Sequence, residues 1–313
     1  MKELIYNKLL QIVGAENLLV DEPMSKHTTF RIGGPADYFA MPETKEQVVE
    51  LVKACKEANL DFYIIGNGSN LLVGDLGYRG VIIQIGSNMA SYEMKEERCA
   101  DEDSAKYLVT VGAGLMLSKL SNLVANEGMK DFEFASGIPG TIGGAVTMNA
   151  GAYGGQIEDV LIEATVVDEN GEIKTLSNEE LELGYRTSII QKKPYIVLEA
   201  KFMFEKGDIV AIKDRIKELS KQRREKQPLE FPSAGSTFKR PEGYFAGKLV
   251  DDCGLRGYRV GNIMVSEKHC GFVINAGGGT AAEVMTLVRD VQKKVFEEYN
   301  VHLETEIRMI GSF

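Results

Sequence analysis

Cysteine and histidine are scarce in this chain of 313 residues, which contains 4 cysteines and 3 histidines. The cysteines form no C-x-x-C motif and no disulfide-dense pattern, so the sequence favours a reducing, cytoplasmic compartment. With so few histidines a catalytic triad is disfavoured, and we expect no metal site. The four cysteines are Cys55, Cys99, Cys253 and Cys270.

Positive charge and long apolar runs are also in short supply. The chain has 36 Lys and Arg against 46 Asp and Glu, a formal net charge of -10 that disfavours nucleic acid and anionic membranes. The N-terminal segment lacks the apolar core of a signal peptide, and the uncharged stretch 135–157 is too rich in glycine and polar residues to span a membrane. We therefore expect small-molecule ligands, no nucleic acid and no membrane. Oligomeric state stays open, and a monomer is compatible with the sequence.

The remaining patterns predict an α+β protein with more than one core. Strand-like segments dominate from about residue 30 to 204, and Thr44 and Gln47 suggest a capping box before an amphipathic helix. Asp208 begins a second helix with a basic end, and Thr280 and Glu283 form a capping box before a third. A final strand is expected in "HLETEIRMIG". We predict a two-lobed region over 1–205, a second domain over 206–302, and a terminal strand over 303–313.

The first glycine loop, "IIGNGSNLLVG", follows a predicted strand but lacks the third glycine and the helix of a dinucleotide-binding fingerprint. Its backbone amides, with the side chains of Ser69 and Asn70, could hold a phosphate. A plain turn is the alternative.

The second loop, "ASGIPGTIGGAVTMNAGAYGG", allows close backbone approach. A short helix over Thr141–Met148 would turn its amide end toward a diphosphate. A tightly packed glycine corner is the alternative.

These loops, together with "TTFRIGGPADYF", stand in the order and spacing of the FAD-binding fold of vanillyl-alcohol-oxidase (PCMH) type flavoproteins. More closely, the chain resembles the UDP-N-acetylenolpyruvoylglucosamine reductase (MurB) family over almost its full length, through "GYRTS", "PSAGSTFKRP" and "LETEIRMIG" as well. The resemblance implies a PCMH-type FAD-binding region in two lobes and a separate α+β substrate-binding domain, with the terminal strand returning toward the flavin. It also implies three groups of FAD contacts. These are Arg31, Ile32, Gly33 and Gly34; Gly66, Asn67, Gly68, Ser69 and Asn70; and Gly137, Ile138, Pro139, Gly140, Thr141, Gly143 and Gly144.

The family reaction is an NADPH-dependent reduction of UDP-N-acetylglucosamine enolpyruvate to UDP-N-acetylmuramate in peptidoglycan synthesis. By resemblance, flavin N5 delivers the hydride and Ser236 donates the proton, while Arg186 and Glu306 are catalytic. An arginine fork suits the substrate carboxylate. Glu306 would need a raised pKa to donate a hydrogen bond. For Ser236, a nucleophile is the rival interpretation, but its surroundings do not match a G-x-S-x-G elbow.

Substrate contacts follow from the same resemblance. Lys226 and Arg223 are candidates for the diphosphate, Arg240 stands where some members have asparagine, and Tyr153 and His269 could line the sugar or uracil. Solvated surface charge is the alternative for the basic residues. The short connection from Arg186 to "YIVLEA" has no room for the tyrosine-bearing loop of some members, which implies the loop-lacking subtype (type II) with a more open pocket.

Two other functions remain compatible with the sequence. One is another flavin oxidase or dehydrogenase of the vanillyl-alcohol-oxidase type. The other is a non-catalytic UDP-sugar-binding or flavin-binding protein, whose flavin would not be bleached by NADPH.

Overall fold

The computed structural model describes residues 2–97 and 106–313, so Cys99 lies outside the described residues. The α-helices in these ranges are α1 (Lys2–Val13), α2 (Lys45–Glu57), α3 (Leu117–Asn126), α4 (Ile142–Met148), α5 (Ile189–Lys192), α6 (Ile209–Lys226), α7 (Ala246–Asp252) and α8 (Ala281–Tyr299). The strands are β1 (Leu18–Pro23), β2 (Pro35–Ala40), β3 (Phe62–Ile65), β4 (Leu71–Val73), β5 (Tyr78–Gln84), β6 (Tyr92–Glu97), β7 (Lys106–Gly112), β8 (Gly151–Ala152), β9 (Gly155–Gln156), β10 (Leu161–Val167), β11 (Ile173–Ser177), β12 (Ile196–Glu205), β13 (Ser233–Ser236), β14 (Arg259–Val260), β15 (Ile263–Val265), β16 (Phe272–Asn275) and β17 (Arg308–Ile310).

The strands form two four-stranded sheets, ordered β1-β2-β5-β3 and β13-β16-β15-β14, and one five-stranded sheet, ordered β11-β10-β12-β7-β6. Two short pairs, β17-β4 and β8-β9, complete the pairing among the described strands. This mixture of helices and largely antiparallel strands confirms the α+β class.

Contacts divide the chain into two compact units, each assembled from separate segments. Unit 1 comprises residues 1–19, 39–67 and 81–222, and unit 2 comprises residues 20–38, 68–80 and 223–313. The expected boundaries at 205 and 302 stay a prediction.

Unit 1 is built around the five-stranded sheet. Its central strand β12 is antiparallel to both β7 and β10, and its buried residues join those of α3 and α4 in one apolar core. Phe132, Phe202 and Phe204 lie at the centre of this core with ring centroids 5.5–6.1 Å apart. Such aromatic packing contributes stability beyond the apolar area that it buries.

Unit 2 has its own apolar core, between the β13-β16-β15-β14 sheet and α8. Helix α8 buries Val284, Leu287, Val288, Val291 and Val295, which recur at the spacing of one helix face. Its capping box is confirmed, since Thr280 accepts from the Glu283 amide and Glu283 accepts from the Thr280 amide.

Two predicted details differ from the structure. Thr44 Oγ1 caps α2 by accepting from Gln47 N at 3.2 Å, but Gln47 Oε1 accepts from Glu43 N at 2.7 Å, so the reciprocal half of that capping box forms one residue earlier. The final strand is limited to Arg308–Ile310, and Glu306 lies before it. The strand is therefore shorter than the expected segment, and Glu304 and Glu306 lie outside it.

Among the described residues, no helix combines the length and apolar character needed to cross a membrane.

Candidate active site

Ser236 lies at the end of β13, next to an irregularity in its pairing with β16. Ser233 lies opposite Ile274 and Ser236 opposite Phe272, so β13 has one extra residue between these pairs. Gly235, with φ of 78°, occupies this bulge in the left-handed region that favours glycine. Within the described residues the half-buried Ser236 hydroxyl has no hydrogen-bond partner, so it is available to a ligand.

Glu306 lies on the segment that crosses the same loop. Its amide donates to Thr237 O at 2.8 Å, next to a bridge between Thr305 and Phe238. The structure therefore brings the serine segment and the Glu306 segment together within unit 2. Glu306 is half-buried, whereas Glu304 is exposed and bonded to Lys239 at 2.9 Å. Of these two neighbouring carboxylates, Glu306 is the one withdrawn from bulk solvent.

The loop Arg31–Gly34 has a tightly constrained backbone. Arg31 adopts φ of 56°, and its amide donates to Thr28 O at 3.1 Å. A Cβ at Gly34 would lie 2.2 Å from Asp75 O, so only glycine fits there. No described group accepts from the amides of Ile32 and Gly33. The loop thus offers two neighbouring donors of the kind that bind phosphate.

The loop Gly66–Asn70 provides a longer run of donors. None of its five backbone amides donates to a described group. Successive unpaired amides in a turn are a general anion site that needs no lysine. The loop is tight at both glycines: a Cβ at Gly66 would lie 2.1 Å from Thr141 Oγ1, and one at Gly68 would lie 2.1 Å from His27 O. These free amides fit the phosphates of a dinucleotide such as FAD.

The second glycine loop contacts the part of the first loop that belongs to unit 1, Gly66 and Asn67. Asn67 Nδ2 donates to Pro139 O at 2.7 Å, and the predicted short helix is present as α4, with Thr141 before its first turn. The amide end of α4 is only partly available, however. Ile142 N and Gly143 N donate to Leu115 O and Ala113 O, both at 2.8 Å.

The start of α4 therefore offers an anion fewer amide donors than expected. Gly143 allows close packing against Ala113 but offers no amide, while the amides of Gly140, Thr141 and Gly144 have no described acceptor. Sequence could not show this difference, because the partner carbonyls come from the turn after β7. The remaining donors still fit a phosphate group.

Arg186 lies in a four-residue turn closed by two hydrogen bonds between Gly184 and Thr187. Its φ of 56° is left-handed, a conformation that costs about 1 kcal/mol for a residue with a side chain. Gln191 holds the turn by donating to Arg186 O at 3.1 Å. The half-buried guanidinium reaches Gly151 O at 3.4 Å and lies 5.4 Å from the Tyr185 ring centroid.

The Gly151 contact places Arg186 beside the β8-β9 hairpin, which carries Tyr153. Tyr153 and Gly154 both have positive φ, 54° and 90°, as a two-residue hairpin turn requires. Tyr153 is 38% exposed. The structure therefore brings Arg186 and the Tyr153 hairpin together in unit 1.

The candidate cations for the diphosphate lie in unit 2, where Lys226 ends α6 and Arg223 precedes it by one turn. Lys226 is exposed and forms no ion pair with the described residues. Arg240 lies with its guanidinium carbon 4.0 Å from the Phe245 ring centroid, and Phe245 is 61% exposed. Arg240 and Phe245 therefore form a cation–π pair a few residues after Ser236 in the sequence.

His269 packs edge to face against Phe272, with ring centroids 5.1 Å apart. Burial lowers the pKa of His269 below its usual value of 6.5. Its Nδ1 accepts from Gly271 N at 3.0 Å, so the neutral ring carries its proton on Nε2. His269 is therefore suited to donate a hydrogen bond, not to carry charge.

Sequence reasoning did not identify two supporting residues. Thr237 is buried, and its Oγ1 accepts from Val273 N at 3.0 Å, which fixes the serine loop to β16. The Asp75 carboxylate accepts from Ala281 N at 2.8 Å and Ala282 N at 2.9 Å at the start of α8. Neither contact has a local sequence signal, because each joins segments far apart in the chain.

Comparison with known proteins identifies both parts of the chain. Residues 36–177 match the model of an FAD binding domain, and residues 227–310 match that of the UDP-N-acetylenolpyruvoylglucosamine reductase C-terminal domain. UDP-N-acetylenolpyruvoylglucosamine reductase of Lachnoclostridium phytofermentans is 52% identical over 99% of this chain and 98% of its own. The enzyme of the same name from Agathobacter rectalis is 54% identical over 95% of each chain.

A solved structure agrees with the sequence relatives. The crystal structure of UDP-N-acetylenolpyruvylglucosamine reductase (MurB) from Thermus caldophilus matches with a TM-score of 0.77 and 33% identity, covering 93% of this chain and 97% of the other. The match covers nearly the whole of each chain, so it includes the residues of both units. The chain belongs to the UDP-N-acetylenolpyruvoylglucosamine reductase family.

Proposed function

We propose that this protein reduces UDP-N-acetylglucosamine enolpyruvate to UDP-N-acetylmuramate, with NADPH as reductant and FAD as cofactor, in cytosolic peptidoglycan synthesis. The observation that carries the assignment to these particular residues is the backbone bond of 2.8 Å from Glu306 to Thr237, because it places the Glu306 segment against the residue next to Ser236. Family membership over the full chain supports the same reaction.

The reaction adds two hydrogens across the enolpyruvyl double bond. A hydride adds to the terminal carbon, and the electron pair of the double bond moves toward the carboxylate-bearing carbon, which then takes a proton. NADPH becomes NADP⁺, so one hydride and one proton account for all atoms and electrons. When bound, FAD supplies the hydride transfer that no side chain can perform.

Ser236 is the proposed proton donor. Its hydroxyl is half-buried and unpaired among the described residues, so it can point to a bound substrate without first breaking another bond. A hydroxyl is a weak acid, but an enolate carbon is basic enough to take its proton. Proton donation by a positioned group of this kind typically accelerates a reaction by roughly 10²–10⁴-fold.

Arg186 and Glu306 are the proposed stabilising groups. The guanidinium is permanently charged and forked, so it suits the substrate carboxylate, on which negative charge grows as the hydride arrives. The left-handed backbone of Arg186, held by the hydrogen bond from Gln191, fixes the direction of the Cα–Cβ bond. We assign Glu306 to hydrogen bonding of the developing enolate.

Substrate binding is assigned to the candidate cations and to two polar rings. Lys226 and Arg223 would bind the diphosphate, and Arg240 is a further candidate. Tyr153 and the neutral His269 would contact the sugar or the uracil. The connection from Arg186 to β12 contains only α5 and a short turn, which supports the loop-lacking subtype.

Visible spectroscopy with separate half-reactions tests this function. The purified protein should be yellow, lose its absorbance when NADPH is added without oxygen, and regain it when the enolpyruvyl substrate follows. A protein without flavin contradicts the proposal. Rapid reoxidation by oxygen with no response to substrate would instead indicate a flavin oxidase, and a flavin that NADPH does not bleach would indicate a non-catalytic binding protein.

A further inference from the structure

A closed ring of hydrogen bonds within unit 2 joins the Ser236 and Glu306 segments to two glycine loops. Each link of the ring is either a covalent stretch of a few residues or a hydrogen bond of 3.2 Å or less. The bonds are Thr29 N to Gly68 O (3.2 Å), Asn70 Nδ2 to Glu306 O (3.1 Å), Glu306 N to Thr237 O (2.8 Å) and Thr29 Oγ1 to Ser233 O (2.7 Å). Ser236 lies on the stretch between the last two.

Thr29 is the residue at which this ring closes. Its amide bonds to Gly68 on one side, and its hydroxyl bonds to Ser233 on the other. The hydroxyl bond is the shortest of the four, and it spans 204 positions of sequence. It is also the bond that one substitution can remove without altering the backbone or a predicted ligand contact.

The residues on either side of Thr29 are anchored by a hydrogen bond and by packing. Thr28 is buried, and its Oγ1 donates to Ile32 O at 3.1 Å, closing the loop on itself. Phe30 is 1% exposed and packs in the core of unit 2. A side chain between two such anchors has little freedom to follow Ser233 if that strand moves.

Asn275, at the end of β16, supports the same junction. It is 4% exposed, and its Nδ2 donates to Phe30 O at 3.1 Å. Its amide donates to Pro232 O at 2.9 Å, and its Oδ1 accepts from Gly277 N and Gly279 N, both at 3.0 Å. A buried amide satisfied in this way fixes one arrangement of its neighbours.

We infer that Thr29, supported by Asn275, is a positioning residue for proton donation: its hydroxyl holds the start of β13 so that the bulge presents Ser236 in a fixed place relative to Glu306. The role rests on the proposed reductase function. It is distinct from cofactor binding, because the hydroxyl is already committed to Ser233 O. Thr29 therefore acts in the step that needs the proton and not in reduction of the protein by NADPH.

The test compares Thr29→Val, which keeps the shape and loses the hydroxyl, with Thr29→Ser, which keeps the hydroxyl. Anaerobic stopped-flow measures reduction by NADPH and reoxidation by the enolpyruvyl substrate separately. We expect T29V to slow reoxidation on the order of tenfold with reduction nearly unchanged, since small misplacements of reacting groups have effects of this size or larger. T29S should recover most of the rate.

Ser121→Ala is the matched control, because Ser121 is 1% exposed and also donates one hydroxyl bond, to Phe132 O at 3.0 Å, within unit 1. It should leave the ratio of the two half-reaction rates unchanged. Hydrogen exchange of the 233–237 amides, followed by mass spectrometry, should be faster in T29V than in T29S.

Two results would overturn the inference: reoxidation in T29V at the wild-type rate, or equal slowing of both half-reactions. A wild-type protein that fails either half-reaction would instead count against the reductase function itself, so the two failures can be told apart.

Discussion

Ser236 is one residue beyond a glycine with positive φ and one residue before a buried threonine whose hydroxyl is bonded to β16. These neighbours fix its backbone, while its own hydroxyl has no partner among the described residues. A backbone fixed by its neighbours and a hydroxyl that no described group occupies leave this side chain available to a bound ligand.

Replacing Ser236 with Ala should therefore separate the two half-reactions. Reduction by NADPH should stay close to wild type, whereas reoxidation by the enolpyruvyl substrate should slow by roughly 10²–10⁴-fold. Anaerobic stopped-flow at the flavin absorbance measures both. Equal loss in both half-reactions would show that Ser236 is structural.

At the scale of single elements, the β13 bulge explains how the serine is presented. An extra residue on one strand turns the following side chain, and the left-handed φ of Gly235 makes this possible. Nothing lies within 4 Å of a Cβ built at Gly235, so backbone strain is the main penalty for a side chain there.

Gly235→Ala should lower the free energy of unfolding by about 1 kcal/mol, the usual strain of a left-handed alanine. Gly254→Ala is a matched control, since Gly254 has φ of 70° and equally open surroundings after α7. Urea denaturation should give similar losses for both variants. Only G235A should also slow substrate reoxidation, and equal activity in the two variants would argue against the bulge as the presenting element.

The β10–β11 hairpin contains a pH-dependent contact. Asp168 accepts from the Lys174 ammonium at 2.6 Å and from the Asn170 and Glu172 amides at 2.8 and 3.0 Å. The Lys174 hydrogen bond, aided by these amides, lowers the pKa of Asp168 from 3.8 to about 2. A carboxyl group whose pKa is lower in the folded than in the unfolded protein contributes its full stabilisation at a pH above the unfolded pKa. This stabilisation is lost as the pH falls toward the folded pKa.

Asp168→Asn should therefore lower the urea midpoint at pH 7, and the difference from wild type should shrink as the pH falls below about 5. Glu172→Gln is the control, because Glu172 is 68% exposed and lies 3.5 Å from Lys174, where an ion pair contributes little. A difference that grows on acidification would contradict this account.

Several elements could be predicted from sequence because their signals are local. The α8 capping box and its buried valines follow from residue type and spacing alone. The limits of the terminal strand could not be predicted, since its segment changes partner. Thr305 bridges Phe238, Glu306 bonds to Thr237, and Arg308 then pairs with Leu71. Tertiary pairing, not strand propensity, sets where that strand begins.

At the scale of the whole molecule, the proposed site residues belong to two compact units. Arg186 and Tyr153 are in unit 1, and Ser236 and Glu306 are in unit 2. Their assignment to the site follows from family motifs and stays a prediction. Which loop amides are already bonded to carbonyls, such as that of Gly143, depends on distant backbone. Backbone hydrogen bonds between residues far apart in the chain cannot be predicted from one sequence.

Removing FAD should lower the thermal midpoint of the protein, and adding FAD back should restore it. A ligand that binds only the folded state at 100 times its Kd adds about 2.7 kcal/mol of stability. Differential scanning fluorimetry over a range of FAD concentrations measures this shift, with ATP as the control nucleotide. A midpoint that does not respond to FAD would contradict binding by the free amides of the glycine loops.

The contact between Asn70 and Glu306 spans 236 positions of sequence, and next to it β17 pairs with the buried strand β4. A ribosome adding about 5–20 residues per second needs roughly 10 to 50 s to cover that distance. During this interval Leu71–Val73 has been synthesised but its partner strand has not. The nascent chain therefore carries Leu71–Val73 without its β17 partner for roughly 10 to 50 s, and the ring of hydrogen bonds that joins the Ser236 and Glu306 segments can close only after Glu306 has been synthesised.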